Sequence, residues 1–151
     1  MRGASRGQVG AEFALVLAFL FALGVTAYQF VDLGLAAAKV HQAAQEAAYV
    51  AGSNLEAAGG SQIPCWAVGN ALTNSRGYAD AAICQTVVEN LGTIDPSLVT
   101  VSVSPASLVD RGTHTPIHVT VSYRQKIGSP LLRALMGDTF ESTTQASSWS
   151  N

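Results

Sequence analysis

The sequence predicts an α+β chain in which a long N-terminal helix, membrane-spanning in its first half, packs on a small extracytoplasmic domain with a second helical region and a three-stranded antiparallel sheet. Three observations predict it. An uncharged apolar run fills residues 13–31, alanine-rich helix-forming sequence continues it without a break to about residue 52, and the C-terminal third alternates apolar and polar residues with period two. The whole chain is 151 residues, 48% hydrophobic and only 12% charged, with a mean hydropathy of +0.27. That is too apolar and too poor in charge for an ordinary soluble domain. The net charge of −2 leaves no basic field for phosphate backbones, so no nucleic-acid partner is expected.

The apolar run comes first. Phe13 to Val31 is 19 residues without a charge, about 28 Å as a helix and close to the thickness of a bilayer's hydrocarbon core. Arg2 and Arg6 precede it and Asp32 follows. Positive charge is retained on the cytoplasmic side, which puts the N-terminus inside and the chain beyond residue 32 outside. A lipid bilayer is thus the first expected partner. The run admits three processing fates: a secretory signal peptide cut after Ala27 in "GVTA", an uncut signal anchor, or a segment kept after a cut ahead of it. A signal peptide normally hands over to unrelated sequence, whereas here "YQFVDLGLAAAKVHQAAQEAAYVAGS" extends the same helix. One helix over residues 8–52 would be about 65–70 Å long. In its second half Leu35, Ala36, Val40, Ala43, Ala44, Ala47, Val50 and Ala51 recur at three-and-four spacing, a narrow stripe able to pack on the chain's own domain or on another subunit.

Gly52 to Gln62, "GSNLEAAGGSQ", is a shift in composition with three glycines and reads as the exit from the long helix. Apolar residues from Ala67 to Leu91 then recur at helical spacing, with Gly77 an interruption and Gly92 a stop. Val99, Val101 and Val103 alternate with polar residues, as do Ile117, Val119, Val121 and Tyr123, and each set predicts a strand with one buried face. "GSPLLRALMGD" (128–138) reads as an apolar connection with a helical turn, and "TFESTTQASSW" (139–149) as a third strand. Three strands need a covering helix, and the striped half of the long helix supplies it.

Cys65 and Cys84 lie in the part expected outside, where a disulfide persists; two buried free thiols are the alternative. Neither CxxC spacing nor a nearby histidine pair makes a zinc site, and no metal or cofactor is expected. His41, His114 and His118 read as solvated surface residues, and Trp66 and Trp149 as core or interface residues. With no P-loop, no G-x-S-x-G and no paired-carboxylate signature, no catalytic residue and no enzyme is expected.

What remains is Glu12, at the edge of the apolar run, where a charge deep in lipid would cost about 2.5–3.5 kcal/mol even on insertion scales. Arg6 and Gly7, then "QVGA", then Glu12 and Phe13 resemble the N-terminus of a type IV prepilin, specifically the TadE-like pseudopilins of tight-adherence (Tad/Flp) pilus systems. The resemblance implies a leader at residues 1–7 and a cut by prepilin peptidase between Gly7 and Gln8. It also implies a kept helix at residues 8–52 with its span at about 13–31, and a pilin-like domain at residues 53–151. Its partners would be prepilin peptidase, other pilin or pseudopilin subunits met through the N-terminal helix, and the inner-membrane assembly platform. The subunit would begin in the cytoplasmic membrane and end in a pilus or at the cell surface. Glu12 and Phe13 become assembly residues, with the Glu12 carboxylate pairing to the new Gln8 α-amine of its own or a neighbouring subunit. Gly10 departs from a good helix start, since glycine weakens a helix by about 1 kcal/mol relative to alanine. A minor pilin or pseudopilin is the leading expectation. A principal filament subunit and a membrane-anchored or secreted binding domain are the alternatives.

Overall fold

A computed structural model of the chain describes residues 4–53, 62–65, 78–105, 110–112 and 114–150. Its elements are α1 (Ala4–Ser53), β1 (Gln62–Pro64), β2 (Tyr78–Asp80), α2 (Ala81–Leu91), β3 (Val99–Ser104), β4 (Pro116–Lys126), α3 (Pro130–Met136) and β5 (Thr139–Trp149). The architecture is α+β: one long apolar N-terminal helix, two further helices and a three-stranded antiparallel sheet in the order β3-β4-β5.

Helix α1 runs 50 residues, about 75 Å. It starts at Ala4, ahead of the expected Gln8, and passes through Gly10 unbroken, because one glycine's cost is small beside the helix-forming residues around it. Its two halves differ in exposure. Every residue from Val9 to Val25 is exposed, and burial begins in earnest at Leu33. From there Leu33, Ala36, Val40, Ala43, Ala44, Ala47, Ala48 and Ala51 are buried. The expected stripe is therefore displaced at its edges. Leu35, read as part of it, is 59% exposed, while Leu33 and Ala48 lie inside. The covered face begins a third of a turn away from Leu35, which a stripe built from alanine, common on every face here, could not fix.

The sheet covers that alanine face. Val101 pairs with Val121, and Val119 with both Val103 and Ala146. Valines 99, 101, 103, 119 and 121, with Ile117 and Tyr123, are all buried on one side. On β5 the same side carries Ser142, Thr144, Ala146 and Ser148, all half-buried. Small side chains on helix and strand bring the two close: a Cβ built on Gly52 would stand 2.8 Å from the Trp149 carbonyl oxygen and overlap the Ser148 hydroxyl.

Helix α2 lays Ile83, Cys84, Val87 and Leu91 into the same core and stops at Gly92, whose φ of +63° is the left-handed end that glycine accepts without strain. Part of the expected second helical region is a strand instead. Tyr78, read there as helical, belongs to β2, which pairs antiparallel with β1. Three-residue strands are too short to show an alternation. The remainder of that region, residues 66–77 with Trp66, lies outside the described residues, as do residues 54–61 of the expected helix exit; Gly52 itself is still in α1 and Gln62 opens β1. Cys65 and Cys84 form a disulfide across 19 residues, fully buried, with Cα atoms 5.4 Å apart. It ties the end of β1 to α2.

Short devices fix the connections. Asp95 caps the 3-10 turn Pro96–Leu98 by accepting from the Ser97 amide at 2.9 Å, which holds its carboxyl below the usual value. Ser129 caps α3, with Pro130 following it, and Gly137 ends that helix at φ +89°.

Candidate functional site

Composition and geometry both direct attention to the exposed part of α1. Among the described residues this is the one helix long and apolar enough to cross a membrane, with a mean hydropathy of 2.1 over its best stretch and none of that stretch buried. Phe13, Leu15, Phe19 and Phe21 are 68%, 73%, 58% and 74% exposed. Side chains of this size in water would each forgo about 1.5–3 kcal/mol of burial free energy. In lipid the cost disappears, so a long apolar helix with this exposure fits a membrane anchor.

Gly7 and Gln8 lie within the helical backbone of α1, and Glu12 stands on its exposed surface. Because the helix starts at Ala4, Glu12 is more than two turns from its N-terminus in the uncut chain. The macrodipole acts mainly within the first turn, so it does not accommodate this carboxylate. A chain starting at Gln8 would bring Glu12 to its fifth residue. Phe13 follows at the head of the aromatic and leucine surface.

The sheet-covered part of α1 meets the head at two ends. At the far end Gly52 approaches Ser148 and Trp149. At the near end the Ser129 amide donates to Gln29 Oε1 at 2.6 Å, and the Thr26 and Ser129 hydroxyls lie 3.1 Å apart. Leu33 completes this end by packing with Ile127 and Leu132. The junction is invisible to an apolar-run reading, which absorbs Thr26 and Gln29 into the span. The signal that could have found it is the pair itself, two polar residues three apart in an otherwise apolar stretch.

Other candidate chemistry is dispersed. His41 is exposed with its Nε2 3.0 Å from Gln45 Nε2, His114 occupies a left-handed turn at φ 64°, and His118 sits half-buried on β4. Among the described residues no group of three or more His, Cys, Asp or Glu side chains could hold a metal ion. Trp149 is 65% exposed. On the outer sheet face Thr100, Ser122, Arg124 and Glu141 border a shallow open groove, and Arg124 stands opposite Glu141 in register. Comparison with protein-family models, with curated proteins and with solved structures finds no match to this chain.

Proposed function

We propose that the chain is a TadE-like minor pilin or pseudopilin: inserted with its N-terminus in the cytoplasm, cut by prepilin peptidase after Gly7, and drawn through its N-terminal helix into the assembly or priming of a Tad/Flp-type pilus. The observation that carries this reading is the Gly7, Glu12, Phe13 string at the head of an exposed apolar helical stretch that runs unbroken into a helix packed on its own head domain. The exposed half suits lipid before assembly and neighbouring helices afterwards. Cutting at Gly7 generates an α-amino cation at Gln8, about one turn from Glu12, and that cation or its counterpart on an adjacent subunit offsets the carboxylate's desolvation. The buried disulfide suits an oxidising compartment on the far side of the membrane. The domain beyond residue 52 favours a minor subunit over a principal one, since principal Flp-type pilins carry little beyond the helix.

The mature mass and N-terminal residue in cells with an active prepilin peptidase test the proposal. A chain beginning at Gln8 supports it. One beginning at Tyr28 identifies a signal peptide and a secreted domain, and one retaining Met1 identifies a plain membrane anchor.

A further inference from the structure

We infer that α3 is a second membrane-contact element, whose exposed Leu131, Leu135 and Met136 enter the boundary between headgroups and acyl chains beside the point where α1 leaves the bilayer. The inference rests on the reading that α1 spans the membrane, and goes beyond it by assigning the head domain a lipid surface of its own.

Length fixes where α1 emerges. A hydrocarbon core needs about 20 helical residues, so it ends between Tyr28 and Asp32 whether it begins at Val9 or at Phe13. That is the level at which the head is fastened: Ser129, the cap of α3, is bonded to Gln29 and lies beside Thr26, and Leu132 of α3 is buried with Leu33. Helix α3 therefore cannot stand clear of the surface that α1 crosses. The head extends from this junction to Gly52, about 35 Å farther along the helix, so α3 is at its membrane-facing end.

The side chains suit that place. Leu131 and Leu135, one turn apart on α3, are 44% and 76% exposed, and Met136 beside them is 45% exposed. Among the described residues of the head the other leucines and valines are largely inside, whereas three apolar residues on a seven-residue helix are left outside. At the same level of α1, Tyr28, Phe30 and Val31 are 76%, 60% and 58% exposed. Arg133, paired at 3.4 Å with Asp138, and Lys126 supply cations at the headgroup level, against the acids Asp32, Asp138 and Glu141. Lipid, rather than a second copy of the chain, is the occupant because the contact level follows from the span length alone.

The test uses single-cysteine labelling of the full chain in vesicles of phosphatidylcholine with a quarter phosphatidylglycerol. Both native cysteines are in the disulfide, so Leu135→Cys, Phe19→Cys and Thr143→Cys each present one free thiol for an environment-sensitive fluorophore. The expected result is several-fold stronger quenching by lipid-borne nitroxide than by aqueous iodide at both 135 and 19, shallow nitroxide being the more effective at 135, with the reverse at 143. Lipid quenching at 19 with iodide quenching at 135 overturns the α3 contact and leaves the span standing. Shielding of 135 from both quenchers overturns it in favour of a protein partner. Iodide quenching at 19 removes the span and the α3 contact together.

Discussion

The two halves of α1 are both apolar and place their bulk in opposite ways. From Val9 to Val25 the large side chains, phenylalanine, leucine and valine, are outside, and nothing among the described residues covers them. From Leu33 to Ser53 the buried face is mostly alanine, with Leu33, Val40 and Gly52 the exceptions, and the bulk comes from the partners: valines of β3 and β4, Ile83, Val87 and Leu91 of α2. Hydropathy separates these halves, since Phe13 to Val31 carries no charge and the second half carries Lys39 and Glu46. Side-chain size separates them as well, because a helix facing acyl chains gains from large surfaces, whereas a helix against a sheet must let backbones approach, as Gly52 does at Trp149. One continuous helix thus carries two kinds of surface, and Thr26, Gln29 and Leu33 mark the change.

The largest way to disturb the covered half is to release α2 from it. Replacing Cys65 and Cys84 together by serine removes a buried link closing 19 residues, and should lower head-domain stability by about 3 kcal/mol. Denaturant titration of detergent-solubilised protein reads this directly. An unchanged midpoint would mean that the core holds α2 without the bridge.

A paired substitution probes the contrast of size itself. Ala47, fully buried between helix and head, should tolerate enlargement badly: Ala47→Leu is expected to cost about 1–3 kcal/mol through overpacking. Leu17, 58% exposed, should tolerate the opposite change, with Leu17→Ala shifting stability in detergent by less than about 0.5 kcal/mol. Equal losses at the two positions would show that the exposed half also packs within the folded chain.

Much of the head was legible because β3 and β4 alternate valine or isoleucine with hydroxyl and charged residues, a pattern that fixes a strand and its buried face together. The long helix was legible from composition. Its inner face was not, since alanine is too small and too frequent to show which side is covered: the spacing includes Leu35 and passes over Ala48, whereas Leu35 is exposed and Ala48 is buried. The strands β1 and β2 escaped because three residues carry no period, and their pairing joins positions 14 to 18 apart that meet only in the folded chain. At the candidate site, Gly7, Glu12 and Phe13 were legible as a string. The junction at Gln29 and Ser129 was not, because it joins residues 100 apart in sequence.

The smallest expected effect is also local to the point where α1 passes from bare to covered. Tyr123 is buried on the inner sheet face, and its hydroxyl donates to Gln125 Oε1. Burial pushes its pKa above the ordinary tyrosine value, and the negative charges of Asp32 on α1 and Asp95 ahead of β3 add to the shift. Folding therefore favours the protonated phenol. The unfolded chain releases this proton first as pH rises past about 10, so the stabilisation is complete below that pH and is lost as pH climbs through the folded value. A phenolate absorbance titration of the four tyrosines should show one late component that Tyr123→Phe removes. Asp32→Asn should move that component down only part of the way, because burial is the larger cause and remains. If Asp32→Asn leaves it unmoved while Tyr123→Phe abolishes it, the head does not hold Tyr123 against α1 at the level of Asp32, and the boundary between the two halves lies nearer to Gly52.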